Sequence, residues 1–229
     1  FHLINDNLGH SIGDEVIRQI SARIRNKVRV GDTLARVEGD EFVLMIPDVK
    51  SVDQINLIKT KLLKMISMPF EVDGHTVQVT ASIGISLADD LLKEPAALIR
   101  QADLAMHEAK QFGRNNAQWY NLNMEDKFNK RLGLRVMLKK ALANREFELY
   151  YQPQVEAGSG RLIGLEALLR WKHPELGLIG PDEFIPIAEE MGLIVEIGQW
   201  VVKEATTYNY SLQKRGLAKI VMAVNLSSL

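Results

Sequence analysis

Lys110 and Arg114 stand four residues apart in a stretch with helical spacing. Four residues bring two side chains to one helix face, and a paired ammonium and guanidinium make a natural clamp for a triphosphate. Their position near a helix C-terminus offers a competing reason for the charge, because cations there complement the helix dipole. Between two β-prone runs lies Glu38-Gly39-Asp40-Glu41. Its carboxylates have the hard oxygens that magnesium shares with phosphates, or they are solvated turn acids. Asn5 and Asp14 supply an amide and a carboxylate, which together can meet mixed donors and acceptors; an Asx turn and a helix cap are the plain alternatives. Arg29-Val30-Gly31-Asp32 sets a guanidinium and a carboxylate three residues apart, a donor fork beside an acceptor. Later in the chain, Glu166 interrupts an apolar run and reads by itself as a surface glutamate, while Asn225 reads as a loop cap.

The elements that must position these groups follow from periodicity. Val16, Ile17, Ile20, Ile24 and Val28 mark a helix over 14–28. Residues 33–37 and 42–46 read as strands flanking the acidic insert, which makes a hairpin. Ser51 caps a helix whose inner face is Ile55, Ile58, Leu62, Leu63 and Ile66. Asp73-Gly74 is a strong hairpin turn, followed by one alternating strand from His75 to Ser86. A helix runs from about Pro95 to Phe112, with Gly113 just past its end. This portion predicts a mixed sheet with covering helices, closing near Tyr120.

Residues 123–144 read as a rigid connecting helix with Leu132, Leu134, Met137 and Leu138 on its apolar side. Strands at 147–151, 162–171 and 220–226 then alternate with helices at 183–190 and 195–212, the order of βα units in a parallel barrel. A closed eight-unit barrel needs roughly 200 residues or more. The stretch after Val136 is far shorter, so the expected fold is α/β, a mixed sheet with covering helices followed by an incomplete TIM-type (β/α) barrel.

Composition narrows the chemistry. The chain has 229 residues, a net charge of −1 and no cysteine. Disulfides and thiolate zinc sites are excluded, and a reducing compartment fits. No global field recruits nucleic acid or anionic lipid, so any nucleotide must be met by a local pocket. No Walker loop or basic stripe supports a generic ATPase or a DNA-binding protein. No apolar run approaches the roughly 20 residues that span a bilayer, and no signal peptide is read at the N-terminus. Both ends read as the edges of a fragment.

The motifs carry a resemblance. Phe1-His2-Leu3-Ile4-Asn5-Asp6-Asn7-Leu8-Gly9-His10 through Gly13-Asp14, Ala35-Arg36-Val37-Glu38-Gly39-Asp40-Glu41-Phe42, Ala81-Ser82-Ile83-Gly84-Ile85-Ser86 and Asp103 through Asn115 resemble, in order, the blocks of GGDEF (diguanylate cyclase) domains. Tyr150-Tyr151-Gln152-Pro153, Leu165-Glu166-Ala167-Leu168-Leu169-Arg170, Phe184 through Gly192 and Val224-Asn225-Leu226-Ser227 resemble EAL (cyclic di-GMP phosphodiesterase) domains. The expected organisation is a GGDEF-type domain over 1–121, a connector with the first EAL helix over 122–145, and an EAL-type portion over 146–229.

The resemblance implies roles. Asn5 and Asp14 would bind guanine, Gly39 would let the hairpin backbone approach phosphate, and Lys110 and Arg114 would hold phosphates. Asp40 and Glu41 take the positions of catalytic acids, with Asp40 a metal ligand; Arg29 and Asp32 match the product-binding inhibitory site. In the EAL portion, Glu166 would be a catalytic metal ligand at the C-terminal end of a barrel strand, with Asn225 as its companion ligand. Gln152 and Arg170 would orient substrate. His173, beside a proline in a loop, is assigned a structural role. The cofactor would be Mg2+ or Mn2+, and the ligands GTP and cyclic di-GMP, with no DNA or RNA polymer. The resemblance leaves room for a homodimer and for sensor or membrane segments outside the chain. It puts these domains in the cytoplasm, with the parent protein anchored at the inner membrane as one arrangement. Three departures stand out: the family's other metal aspartate would precede Phe1, His2 replaces a lysine, and Glu38 replaces the first glycine of the hairpin motif. A carboxylate there adds bulk and like-charge repulsion near phosphate, so hydrolysis is favoured over synthesis and the GGDEF-type domain reads as GTP-binding or regulatory. A non-enzymatic receptor and a bifunctional enzyme are the alternatives.

Overall fold

A computed structural model of the chain describes residues 1–88, 94–216 and 219–227, without the side chain of His2, so the expectation attached to that side chain lies outside the described residues. The chain divides into two units, Phe1–Glu125 and Asp126–Leu229.

In the first unit, α1 (His2–Leu8) gives way at Gly9, whose φ of 87° few other residues tolerate, to α2 (His10–Arg25). The periodic stripe places α2 correctly but not its ends. The helix starts earlier than 14 and stops before Val28, which still packs on the core from outside the helix. Hairpin β1 (Thr33–Glu38) and β2 (Glu41–Met45) follows, antiparallel with a register shift between Arg36 and Glu38. Helix α3 (Val52–Ile66) begins at Ser51, whose hydroxyl accepts from Gln54 N at 3.3 Å, while the Gln54 side chain accepts from Lys50 N at 3.1 Å. Ile12, Val16, Ile20 and Ile24 of α2 pack with Ile66, Phe70, Val72 and Val77 to form the core.

The single strand expected over 75–86 comes apart. β3 (Phe70–Val72) pairs antiparallel with β4 (His75–Val77), and the next strand, β5 (Ile83–Ile85), pairs in parallel with β6 (Ala117–Trp119). Val79 and Ala81 still pack on the core. Alternation reports which side chains are buried, and it does so whether or not the backbone has a ladder partner. Helix α4 (Pro95–Gln111) covers β5 at backbone distance: a Cβ on Gly84 would lie 1.8 Å from Ala102 O and 2.3 Å from Met106 N. Among the described residues the three ladders of this unit are separate two-stranded sheets.

Helix α5 (Asn123–Ala141) begins in the first unit, where Met124 is buried with Leu104 and Ala105, and continues into the second. Its Leu134, Leu138 and Ala141 join Phe147, Trp171, Phe184, Ile187 and Ile197 in the second core, in which Trp171 is 0% exposed. The sheet there has the order β10-β8-β7, with β9 attached to β8. β7 (Phe147–Val155) is antiparallel to β8 (Leu162–His173), a departure from the all-parallel reading. β8 and β10 (Val221–Val224) are parallel, with β9 (Gly177–Ile179), α6 (Pro181–Glu190) and α7 (Ile194–Lys214) between them in sequence, as a parallel pair requires. β9 is too short to announce itself in the sequence; it forms because the turn after β8 is tied down by His173, whose Nδ1 accepts from Glu175 N and Leu176 N, both at 3.2 Å. His173 is buried against Trp171, so its role is structural. No helix among the described residues is long and apolar enough to cross a membrane.

Candidate functional site

The first candidate site gathers around α2 and the β1–β2 hairpin. Gly13 is buried, and a Cβ there would meet Asn5 Oδ1 at 1.9 Å. The Asn5 carboxamide therefore lies directly on the Gly13 backbone, beside Asp14. Asn5 Oδ1 is buried without a hydrogen-bond partner. An orphaned buried acceptor is unfavourable by about 1–3 kcal/mol, and a ligand donor would relieve it. Asp14 is exposed and lines an open cleft of about 460 Å³ with Ile17, Arg18, Ser21, Ala22, Arg25, Asn26 and Arg36. Arg18 is gripped by Glu15 (Nε to Oε2 2.6 Å, Nη2 to Oε1 2.5 Å), which holds the Glu15 carboxyl down to about 2.

Arg36 links the cleft to the hairpin, because its Nε donates to Gly39 O at 2.8 Å. Gly39 turns the chain with φ 50°. The bulge sets Glu38 directly opposite Glu41, with Asp40 in the turn between them, so three carboxylates crowd one exposed end. Like charges directly opposed across a ladder are unfavourable. Arg36 escaped the sequence reading, although it stands in the quoted hairpin block.

One expectation is revised. Lys110 lies in the last turn of α4, but the helix ends at Gln111, and Arg114 sits beyond it in a left-handed conformation, φ 57°. The Asn116 side chain fixes that ending by donating to Ala109 O, Phe112 O and Arg114 O at 2.8–3.1 Å. The two cations do not share a helix face, because four-residue spacing has that meaning only inside a helix. The contacts that join Asn5, Asp14, Arg36 and Gly39 include neither of them. Arg29 and Asp32 do meet, but each other: Arg29 N and Nε donate to the Asp32 carboxylate at 3.0 and 3.1 Å, and Nη2 donates to Pro47 O.

The second candidate site is built by register. Gln152 of β7 lies opposite Glu166 of β8, and Ala223 of β10 lies beside Glu166 on the other side. Asn225 follows the last residue of β10, and its Nδ2 donates to Glu166 Oε1 at 2.7 Å. Glu166, Leu168 and Arg170 alternate with Leu165, Ala167, Leu169 and Trp171, of which Leu169 and Trp171 pack in the core with the helices. Glu166 is the fifth of the twelve residues of β8, so its expected place at the strand's C-terminal end is corrected. The reason is that β8 runs on past its parallel pairing, which covers only Gly164–Ala167, to pair with β7 and β9 alone. Arg170, opposite Glu148, stands roughly 13 Å further along the strand at about 3.3 Å per residue. Its Nη1 donates to Leu169 O at 2.8 Å, and the guanidinium lies 5.5 Å from the Tyr150 ring centre.

The donor set of this second site suits a hard divalent cation: with Asn225 Nδ2 turned to Glu166 Oε1, Asn225 Oδ1 and Glu166 Oε2 remain as oxygen donors. No cluster of three or more His, Cys, Asp or Glu that could hold a metal ion occurs among the described residues.

Comparison with known proteins agrees with this division. The model of the diguanylate cyclase GGDEF domain matches residues 1–116 and that of the EAL domain matches residues 135–229. The bifunctional diguanylate cyclase/cyclic di-GMP phosphodiesterase MucR of Pseudomonas aeruginosa is 43% identical over 229 residues, covering 100% of this chain and 33% of that protein. The chain thus spans about a third of the length of the curated relatives it matches. The GGDEF domain of TpbB (YfiN) from Pseudomonas aeruginosa is 35% identical with a TM-score of 0.53, over 56% of this chain and 75% of that one. The S helix-GGDEF-EAL part of LapD from Vibrio cholerae, bound to c-di-GMP, aligns with 99% of this chain and 52% of its own at 15% identity and a TM-score of 0.52, a likeness of fold alone. Residues 1–116 belong to the GGDEF domain family, and residues 135–229 to the EAL domain family.

Proposed function

We propose that this chain is part of a cyclic di-GMP signalling protein that hydrolyses cyclic di-GMP to the linear dinucleotide through its EAL portion. The observation that carries the reading is that Glu166 of β8 stands opposite Gln152 of β7 and is bonded at 2.7 Å to Asn225, which lies just past the end of β10. Glu166 and Asn225 would hold Mg2+ or Mn2+ through oxygen, with further ligands supplied by the parent protein outside this chain. The cation's contribution when bound is to activate water and stabilise the in-line displacement at phosphorus. Gln152 would orient the dinucleotide beside Glu166, and Arg170 would hold phosphate through its planar fork.

In the GGDEF domain, Asn5 Oδ1 and Asp14 would accept from guanine. Gly39, Asp40 and Glu41 would face the phosphates, and Lys110 and Arg114 would add charge from the end of α4. Arg29 and Asp32 would have to open their mutual bond to bind cyclic di-GMP. Glu38, set against Glu41, adds negative charge where phosphate should approach, so this domain serves as a GTP-binding regulatory element. Bifunctional turnover is the second reading, favoured by the likeness to MucR. The test is incubation of the full parent protein with cyclic di-GMP, and separately with GTP, in Mg2+ or Mn2+. Linear dinucleotide from the first and no cyclic product from the second is expected. Cyclic product from GTP would establish the bifunctional reading, and binding without turnover would make the protein a receptor.

A further inference from the structure

α6 ends on two adjacent carboxylates, Glu189 and Glu190, with no basic residue in its last turn. Carboxylates are unfavourable there, next to the negative end of the helix dipole. Each has a partner on another element. Glu190 is held from α5 by Arg131 at 2.7 Å and Arg135 at 3.6 Å. Glu189 Oε1 accepts a part-buried hydrogen bond from Ser227 Oγ at 2.8 Å.

Ser227 lies two residues past Asn225, in the segment that leaves β10 once its backbone pairing has ended at Val224. Without a ladder, the direction of the Asn225 side chain depends on what seats residues 225–227. Asn225 bonds to Glu166 on β8 and Ser227 bonds to Glu189 on α6, while Leu226 between them stays mostly exposed. The α6 anchor is a charge-assisted bond, stronger than a neutral one.

We propose that Glu189 is a positioning residue, which acts through Ser227 to aim Asn225 at Glu166 and so set the spacing of the two oxygen donors. This rests on the reading that Glu166 and Asn225 bind a divalent cation. Groups that orient a ligand from behind are commonly worth 10- to 100-fold in metal affinity or activity.

The test reads the Asn225 side-chain amide directly, by 1H–15N NMR of the chain, together with the Mn2+ affinity of the full parent protein. In Glu189→Ala and in Ser227→Ala, the Asn225 Nδ2 signals move toward those of an unbonded amide, and Mn2+ binding weakens on the order of 10-fold or more. The double variant loses no more than either single one, because both remove the same bond. Glu189→Gln keeps an acceptor and restores the Asn225 signals. Glu190→Ala breaks the arginine pairs and leaves those signals in place. Should Glu189→Ala unfold the core, seen by loss of the Trp171 indole signal, Ser227→Ala alone decides. Asn225 signals unmoved in Ser227→Ala, or moved equally by Glu190→Ala, overturn the proposal. If the unaltered full parent protein binds no Mn2+, the cation reading fails by itself, and the Asn225 signals still decide the positioning role.

Discussion

Gln152 and Glu166 stand side by side because β7 and β8 are in register, and Asn225 reaches Glu166 from just past the end of β10, whereas Asp14 of α2 and Arg36 of the β1–β2 hairpin share only the lining of one open cleft. A slip of one residue in β8 would turn Glu166 and Arg170 into the core and Trp171 out of it, so burial of that tryptophan fixes the site face. No such coupling guards the hairpin. Glu38, Asp40 and Glu41 are all exposed, and the turn needs only Gly39 and the Arg36 bond to keep its shape. The strand-borne pair Gln152 and Glu166 therefore keeps its geometry as long as the core is kept, while a turn-borne site can change its chemistry with little effect on the fold.

The largest effect that sharpens this contrast comes from Gly84. It sits far from any expected site residue in sequence, yet an added Cβ would run into the backbone of α4. Overpacking typically destabilises by about 1–3 kcal/mol, and a clash with helix backbone belongs at or above the top of that range. Gly84→Ala should lower the denaturation midpoint of the GGDEF unit strongly and leave the Trp171 environment of the EAL unit unchanged by fluorescence. Loss of both signals together would mean that the two units do not differ in the way described.

Glu38→Gly should act in the opposite sense and more weakly. Relieving the Glu38–Glu41 opposition is worth about 0.2–1 kcal/mol, partly offset by the backbone freedom of glycine, so stability by urea denaturation should stay within about 1 kcal/mol. The same change should raise GTP binding or synthesis of cyclic di-GMP. A large loss of stability would contradict the claim that the hairpin turn is free to vary.

The smallest effect is a pH dependence in the EAL unit. Burial pushes the Glu146 carboxyl up, but the bonds from Trp171 Nε1 at 2.9 Å and Asn144 Nδ2 at 2.8 Å prevail and hold it below its usual value. A carboxyl lowered in the folded state adds stability above its unfolded pKa, about 4.3, and that contribution is lost as pH falls through the folded value. Solvent screening keeps it small. Glu146→Gln should flatten the acid limb of the stability profile of this unit while keeping the Trp171 partner; an unchanged acid limb would remove Glu146 from the account.

Much of this was legible in the sequence because apolar periodicity and ordered motifs report burial and local chemistry. The helices α2 to α4, the two hairpins of the first unit, the strand that carries Glu166 and the strand that leads to Asn225 all announced themselves that way. What stayed hidden depended on partners distant in the chain. The expected strand through Gln78–Ser82 had the right alternation but no ladder partner. Arg114 had helical spacing but lay past a helix end fixed by Asn116. The seating of Ser227 on Glu189, 38 residues earlier, left no local pattern to read.

The most direct test of the central claim compares Glu166→Gln with Asp40→Asn in the full parent protein, by cyclic di-GMP hydrolysis in Mg2+ or Mn2+. Glu166→Gln should lower hydrolysis on the order of 100-fold or more, at or beyond the range seen when a ligand's supporting partner is removed, while Asp40→Asn leaves the hydrolytic chemistry intact. Hydrolysis at the original rate in Glu166→Gln would contradict the assignment of the Glu166 site.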